Sequence, residues 1–262
     1  MLAVVLPALS LATALAAAAP PARYEPNWDS LRDIPVPGWF DDAKFGILIH
    51  WGVYSVAGFS SGYNYAEHFP QFMYRTGDGS RNPAEHAAFL QQRFGAAPPD
   101  FGYKDLVPLF RAERFDPAAW TSLFRRAGAR YVILTGEHHD GFALYDSACS
   151  DYDVMDASPY KRDIIKELSE ACHKHGLKFG VYYSHAQDWS DPDSTTFFNN
   201  QRLQALHPDL PADRKPDVDA YIDRKALPQI KELMGKFDWE AVEEPPELRQ
   251  VLALVDKAAS RF

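Results

Sequence analysis

Residues 44–55 read KFGILIHWGVYS, Lys44 to Ser55. An apolar run rises out of Lys44, ends in His50 and Trp51, and gives way to a turn at Gly52. Period-two alternation puts Gly46, Leu48 and His50 on one face and Phe45, Ile47 and Ile49 on the other. A strand apolar on both faces is what a parallel sheet covered on both sides requires. His50 then stands at the C-terminal end of that strand, on the side of the small Gly46. In parallel α/β folds that end is where ligands bind.

Two later stretches repeat the design. Tyr131–Gly136, YVILTG, is rich in β-branched and apolar residues and runs into Glu137-His138-His139-Asp140-Gly141-Phe142. Leu177–Ser184, LKFGVYYS, alternates so that Gly180, Tyr182 and Ser184 share a face. Helical signals separate the three. Asp116 is an N-cap with Pro117 at the first position, and Trp120, Leu123, Phe124 and Ala127 form an apolar stripe that Gly128 ends. Ser158 is read as the cap of the next helix, with Pro159 at its first position. Ile164, Ile165, Leu168 and Cys172 are expected to be buried on it, with Gly176 closing it. Upstream, Pro83–Phe94 is a helix that Asn82 caps and Gly95 closes, Tyr103–Phe110 a shorter helical stretch, and Gly58–Tyr74 an aromatic-rich loop. Strand, helix, strand, helix, strand predicts a parallel sheet with helical crossovers. A (β/α)8 TIM-barrel-like fold fits best, because inward-facing glycines leave room at the axis while polar residues crowd the top. A doubly wound open sheet is the alternative, although no G-x-G-x-x-G follows any strand.

The chain has 262 residues, 46% of them hydrophobic and 24% charged, which suits one domain with a sizeable core. A net charge of -9 argues against a broad nucleic-acid surface. Met1–Ala19 is apolar, uncharged and ends in an alanine run, the pattern of an export signal rather than a stable membrane anchor. The protein is therefore expected to be secreted or periplasmic. Cys149 and Cys172 are compatible with export and form no disulfide framework; whether they pair is left open.

Side by side on a strand, His138 and His139 would point to opposite faces, but at a strand end a turn lets both reach one pocket. Three chemistries compete for them: structural histidines, a metal site with His50, and a polar floor that bonds sugar hydroxyls through neutral imidazoles, a tyrosine and nearby carboxylates. Asp140 equally suits a turn cap, Tyr182 core packing, and Asp188-Trp189 a plain loop.

Taken together, KFGILIHWGVYS, AGARYVILTGEHHDGFALY, KRDIIKEL and GLKFGVYYSHAQDW resemble the catalytic domain of family 29 of the glycoside hydrolases, the α-L-fucosidases. The likeness runs from about Tyr24 to Phe237. It implies a (β/α)8-like barrel, no cofactor or metal, and a retaining hydrolase for terminal α-L-fucose on a fucosylated glycan. It makes His50, Glu67, His138, His139 and Tyr182 the fucose-contacting residues. Glu67 matches a Glu-Trp-Tyr segment of the family, and the chain departs from it with His68 for Trp and Phe69 for Tyr.

The same resemblance implies a nucleophilic aspartate at the end of the strand that follows the predicted helix Val218–Phe237. No apolar strand precedes Asp238, which is the one nucleophile candidate in reach. The expected organisation is an export signal over 1–19, a partial barrel over 20–237, and a helical tail over 238–262 outside the family pattern. On that reading the barrel is incomplete and the chain inactive by truncation. A non-catalytic carbohydrate-binding remnant and a metal-dependent hydrolase on His50, His138 and His139 are the alternatives.

Overall fold

The structure is a computed structural model and describes residues 27–32, 35–62, 65–74, 83–185, 187–194, 211 and 214–236. The expected export segment, the Asn82 cap, Asp238 and the tail after it lie outside the described residues. Three parallel strands form one sheet: β1 (Gly46–Ile49), β2 (Tyr131–Glu137) and β3 (Lys178–Tyr183), in that spatial order. Longer helices are α1 (Gly38–Ala43), α2 (Phe69–Met73), α3 (Pro83–Phe94), α4 (Pro117–Arg126), α5 (Ile164–Lys174) and α6 (Leu227–Lys236). Among the described residues no helix is long and apolar enough to cross a membrane.

Register places Leu48 beside Ile133 and Gly180 on one face, and Ile47 beside Val132 and Phe179 on the other. The second face carries the core, where fully buried Val132 and Leu134 join Ile164, Ile165 and Leu168 of α5. The first face departs from expectation. β1 is not covered on both sides among the described residues, and Leu48 remains 53% exposed, because α4 and α5 pack on the other side of the sheet. At the N-terminal end of this open face a Cβ on Gly46 would fall 2.1 Å from the Tyr131 ring. That ring meets Trp39 and Phe40 of α1, at 6.2 and 5.7 Å between centroids.

Local sequence signals explain most of the helices. Asp116 caps α4 by accepting from the Ala119 amide at 2.9 Å, with Pro117 next, and Gly128 leaves the helix at φ +94°. The apolar stripe of α4 is buried only in part, Trp120 and Phe124 half-buried against Trp51, Phe115 and the core. Leu123 is 54% exposed while Thr121 is fully buried, its hydroxyl bonded to the Pro117 carbonyl and to His175 Nδ1 at the end of α5. The cap of α5 also differs from the reading: Asp163, not Ser158, accepts from the Lys166 amide at 2.8 Å. Ser158 instead donates to the Val154 carbonyl, and Lys161, at φ 54°, breaks the backbone between Pro159 and the helix. Gly58–Tyr74 is more than a loop, since it holds a 3-10 turn at Ala66–His68 and then α2. Phe69 and Phe72 are buried there, Phe69 packing on His86 and Phe89 of α3.

The helix expected from Val218 is observed as a run of three windings: an α turn Val218–Tyr221, a π turn Ile222–Ala226, and α6. Both cysteines are free thiols. Cys149 lies beside Glu232 of α6, whose carboxylate also accepts from Ser147 Oγ and the Ala148 amide.

Candidate functional site

β2 ends at Glu137, so His138 and His139 stand just past the ladder, and the Gly141 amide closes a turn onto the His138 carbonyl at 2.9 Å. That turn brings both imidazoles to one side, with ring centroids 4.3 Å apart. His50, exposed at the end of β1, approaches His138 at 5.4 Å and Tyr182 of β3 at 5.5 Å. Tyr182 stacks on His138 at 5.8 Å and 25°. Four of the residues expected to form a site therefore meet at the C-terminal end of the sheet. The fifth, Glu67, is half-buried on the 3-10 turn, within electrostatic reach of the Tyr54 hydroxyl. Tyr54 itself faces His138 at 5.5 Å and approaches Thr135 Oγ1 at 3.5 Å.

His68 and Trp189 join the cluster, and the sequence pattern assigns neither of them to it. His68 lies 5.8 Å from His138, 5.4 Å from His139 and 5.5 Å from Trp189, centroid to centroid. Trp189, for which the sequence leaves a plain loop role open, is buried, with its ring on His139 at 5.3 Å and its amide donating to the His139 carbonyl. One ring nitrogen from each of His68, His138 and His139 lies within 4.8 Å of the other two. The metal alternative named His50 with the pair; the histidines that converge to ligand spacing include His68 in its place.

Burial, reinforced by the neighbouring imidazoles, holds both paired histidines neutral. The His138 pKa falls to about 2 and that of His139 to about 4. The His139 tautomer follows from its partner. Ser184 Oγ gives its only proton to the Gln187 carbonyl at 2.9 Å, so it accepts from His139 Nδ1 at 2.5 Å. His138 Nδ1 is buried without a hydrogen-bond partner among the described residues.

Beneath the rings lies a second polar layer. Asp188 is fully buried and accepts from Lys225 Nζ at 2.5 Å and from the Ser190 amide and hydroxyl. It approaches the chain so closely that a Cβ on Gly141, at φ +74°, would fall 2.1 Å from its Oδ1. Lys225 is delivered by the π turn and stands 4.0 Å from Glu137 Oε2. Burial alone would push the Lys225 ammonium down, but Glu137 and Asp188 reverse this and keep it charged. Glu137 is fully buried and neither carboxyl oxygen has a hydrogen-bond partner among the described residues. Desolvation pushes it up to about 8, only partly offset by Lys225. Asp140 is likewise pushed up to about 7 by burial, against the hydrogen bond it accepts from the Tyr103 hydroxyl at 2.6 Å. Asp140 also accepts from the Phe142 amide, so it caps the turn as the sequence allows, from a buried position. Arg224, next to Lys225, forks onto Asp191 and reaches Asp193, locking the same loop from outside.

The arrangement is a floor of imidazoles and phenols at the open end of a parallel sheet, with His138 and His139 held neutral, able to donate to and accept from several hydroxyl groups at once. Comparison with known proteins identifies the family. A family model described as alpha-L-fucosidase matches residues 11–242. The plasma alpha-L-fucosidase of Rattus norvegicus is 36% identical over 243 residues, 90% of this chain and 46% of that protein. The crystal structure of the Thermotoga maritima alpha-fucosidase with a mechanism-based inhibitor is 32% identical, covering 92% of this chain and 55% of that one at a TM-score of 0.65. The Lactobacillus casei alpha-L-fucosidase AlfC in complex with its alpha-L-fucose product is 38% identical over 75% of this chain and 57% of that one, with a TM-score of 0.56. The chain spans less than half the length of the curated relatives it matches. With two thirds and more of this chain aligned to each, and the HWGVYS and HHDGF stretches forming the site, the chain belongs to the alpha-L-fucosidase family.

Proposed function

We propose that the protein is a glycoside hydrolase of the α-L-fucosidase type, releasing terminal α-L-fucose from glycans with retention. In this reading His50, Glu67, His138, His139 and Tyr182 hold the sugar. The observation that carries it is the meeting of the His50, His138 and Tyr182 rings within 5.8 Å of one another at the sheet's C-terminal end. The neutral imidazoles of His138 and His139 each offer one donor and one acceptor, which suits a hydroxylated ring better than an anion or a hydrophobe. The Lactobacillus casei structure is a complex of that enzyme with its α-L-fucose product, which supports the same ligand here. The three strands are, in this proposal, part of a (β/α)8 barrel. Strands consecutive in sequence are neighbours in the sheet, as around a barrel, whereas a doubly wound sheet reverses order at a switch point.

Retaining hydrolysis needs a nucleophilic carboxylate and an acid/base carboxyl about 5 Å apart. Glu137 and Asp140 do not supply them, because both are buried in the layer below the rings. The pair comes from outside the described residues, and Asp238 is the candidate nucleophile within this chain. We further propose export, in keeping with the apolar Met1–Ala19 and with a relative named for plasma.

Calorimetric titration of the 262-residue chain with L-fucose tests the reading, with D-fucose as control, followed by assay on an aryl α-L-fucoside with and without chelator. L-fucose is expected to bind in preference to D-fucose, chelator not to lower either signal, and any turnover to disappear in Asp238→Asn. Failure of L-fucose to bind the folded chain overturns the proposal. Binding with no turnover assigns a carbohydrate-binding role, and loss of turnover on chelation a metal-dependent hydrolase.

A further inference from the structure

The fucose reading uses His138 and His139 but gives no role to His68, the residue at which the chain departs from the Trp that its family resemblance leads one to expect. The departure places a third imidazole against the pair, with one ring nitrogen of each within 4.8 Å of the others. Tetrahedral zinc sites hold imidazole nitrogens at about 2.0–2.1 Å from the metal, so small ring rotations bring such a trio to ligand distance.

Two of the rings are already oriented as ligands are. His68 Nδ1 donates to Gln71 Oε1 at 2.7 Å, and His139 Nδ1 donates to Ser184 Oγ at 2.5 Å. Each bond puts the ring proton on Nδ1 and the lone pair on Nε2, the arrangement that outer-shell partners impose on metal-binding histidines. The third ring, His138, is buried and carries an Nδ1 with no hydrogen-bond partner among the described residues. A set of imidazole donors without thiolates selects the zinc class of divalent transition cations over calcium or magnesium.

We propose that His68, His138 and His139 form a binding site for a divalent transition cation of the zinc class, at the open end of the sheet. A second consequence rests on the fucose reading: because His138 and His139 belong to both sites, cation and sugar exclude each other. A cation here acts as a brake on the sugar site.

The test uses the full 262-residue chain, stripped with chelator, dialysed, and titrated with Zn2+ by calorimetry and with Co2+ by its visible absorption. Saturable binding of one cation per chain is expected, with the absorption of a four- or five-coordinate Co2+ complex. His68→Trp, which keeps an aromatic ring at the position, should weaken binding at least about 100-fold, and Gln71→Ala about 10-fold, since outer-shell losses cost about 10–100-fold. His50→Ala should stay within a few-fold of the unsubstituted chain. No saturable binding, or binding unchanged in a folded His68→Trp protein, overturns the site. L-fucose should then weaken Zn2+ binding in proportion to its own occupancy. If Zn2+ binds and the stripped chain fails to bind L-fucose, the sugar reading falls and the cation site stands; if L-fucose binds and Zn2+ does not, the reverse holds.

Discussion

At the N-terminal end of the sheet's open face, the Tyr131 ring fills the space a Gly46 side chain would need, beside Trp39 and Phe40. At the other end of the same three strands the rings are His50, His138 and Tyr182, resting on a layer of buried carboxyls and one lysine. The first end is covered in part by apolar rings, Trp39 and Tyr131 half-buried and Phe40 exposed, and leaves no polar group stranded among them. The second keeps His138 Nδ1 and both Glu137 oxygens buried without a hydrogen-bond partner among the described residues, an arrangement that costs stability. Tolerating that cost at the C-terminal end of the strands, and not at the aromatic end, fits the division of stability from function along a parallel α/β sheet.

The sharpest way to break the contrast is Lys225→Met. It leaves Asp188 buried without its ammonium partner and should cost about 3–5 kcal/mol in urea unfolding. A loss under about 1 kcal/mol would mean that the polar layer is not the strained region. Next in size is the pH response of Glu137. Its folded pKa of about 8 lies above its ordinary value of 4.5, so the folded state binds the extra proton between those values. Its contribution is therefore fully present below about pH 4.5 and lost as pH rises to about 8, a change of order a few kcal/mol. Glu137→Gln should flatten the fall in melting temperature between about pH 6 and 8; an unchanged profile would remove Glu137 as its source. His139 works in the opposite direction, since its folded pKa of about 4 lies below the ordinary 6.5 and stability is lost as pH falls through that window. At the aromatic end, Gly46→Ala must displace the Tyr131 ring and should cost about 1–3 kcal/mol with no change in L-fucose affinity. Smallest in stability is His50→Ala. The residue is exposed, so unfolding should move by less than about 0.5 kcal/mol while L-fucose binding weakens. A stability loss like that of a core truncation, about 2–5 kcal/mol, would make His50 structural instead.

Period-two patterning in KFGILI, YVILTG and LKFGVYYS is enough to locate all three strands and the end at which His50, His138, His139 and Tyr182 meet. Alternation says which residues share a face but not whether another layer covers it, which is why pattern alone makes Leu48 a core residue. Helix capping is legible where one candidate stands alone, as at Asp116. It fails where Ser158 and Asp163 compete, because the left-handed Lys161 between them leaves no mark in the sequence. The layer below the site is invisible for a different reason. Lys225 reaches Asp188 across 37 positions and Gly141 across 84, and no local period encodes a pairing at that distance. His68 stands in plain view as a departure from the family pattern, yet only the fold shows which rings it meets.

The π turn at Ile222–Ala226 has a consequence for how this segment tolerates change. Within it Arg224 and Lys225 serve Asp188, Asp191 and Asp193; beyond it, Glu232 of α6 serves Ser147 and Ala148. The wide turn sets the angular phase between these two groups of contacts. Deleting one residue from it would let the helix rewind to regular α geometry and turn one group against the other by about 100°. Either the acids under the histidines or the Ser147 loop would then lose its partner. The side chains of Ile222 and Asp223 can vary, but the number of residues in the turn cannot.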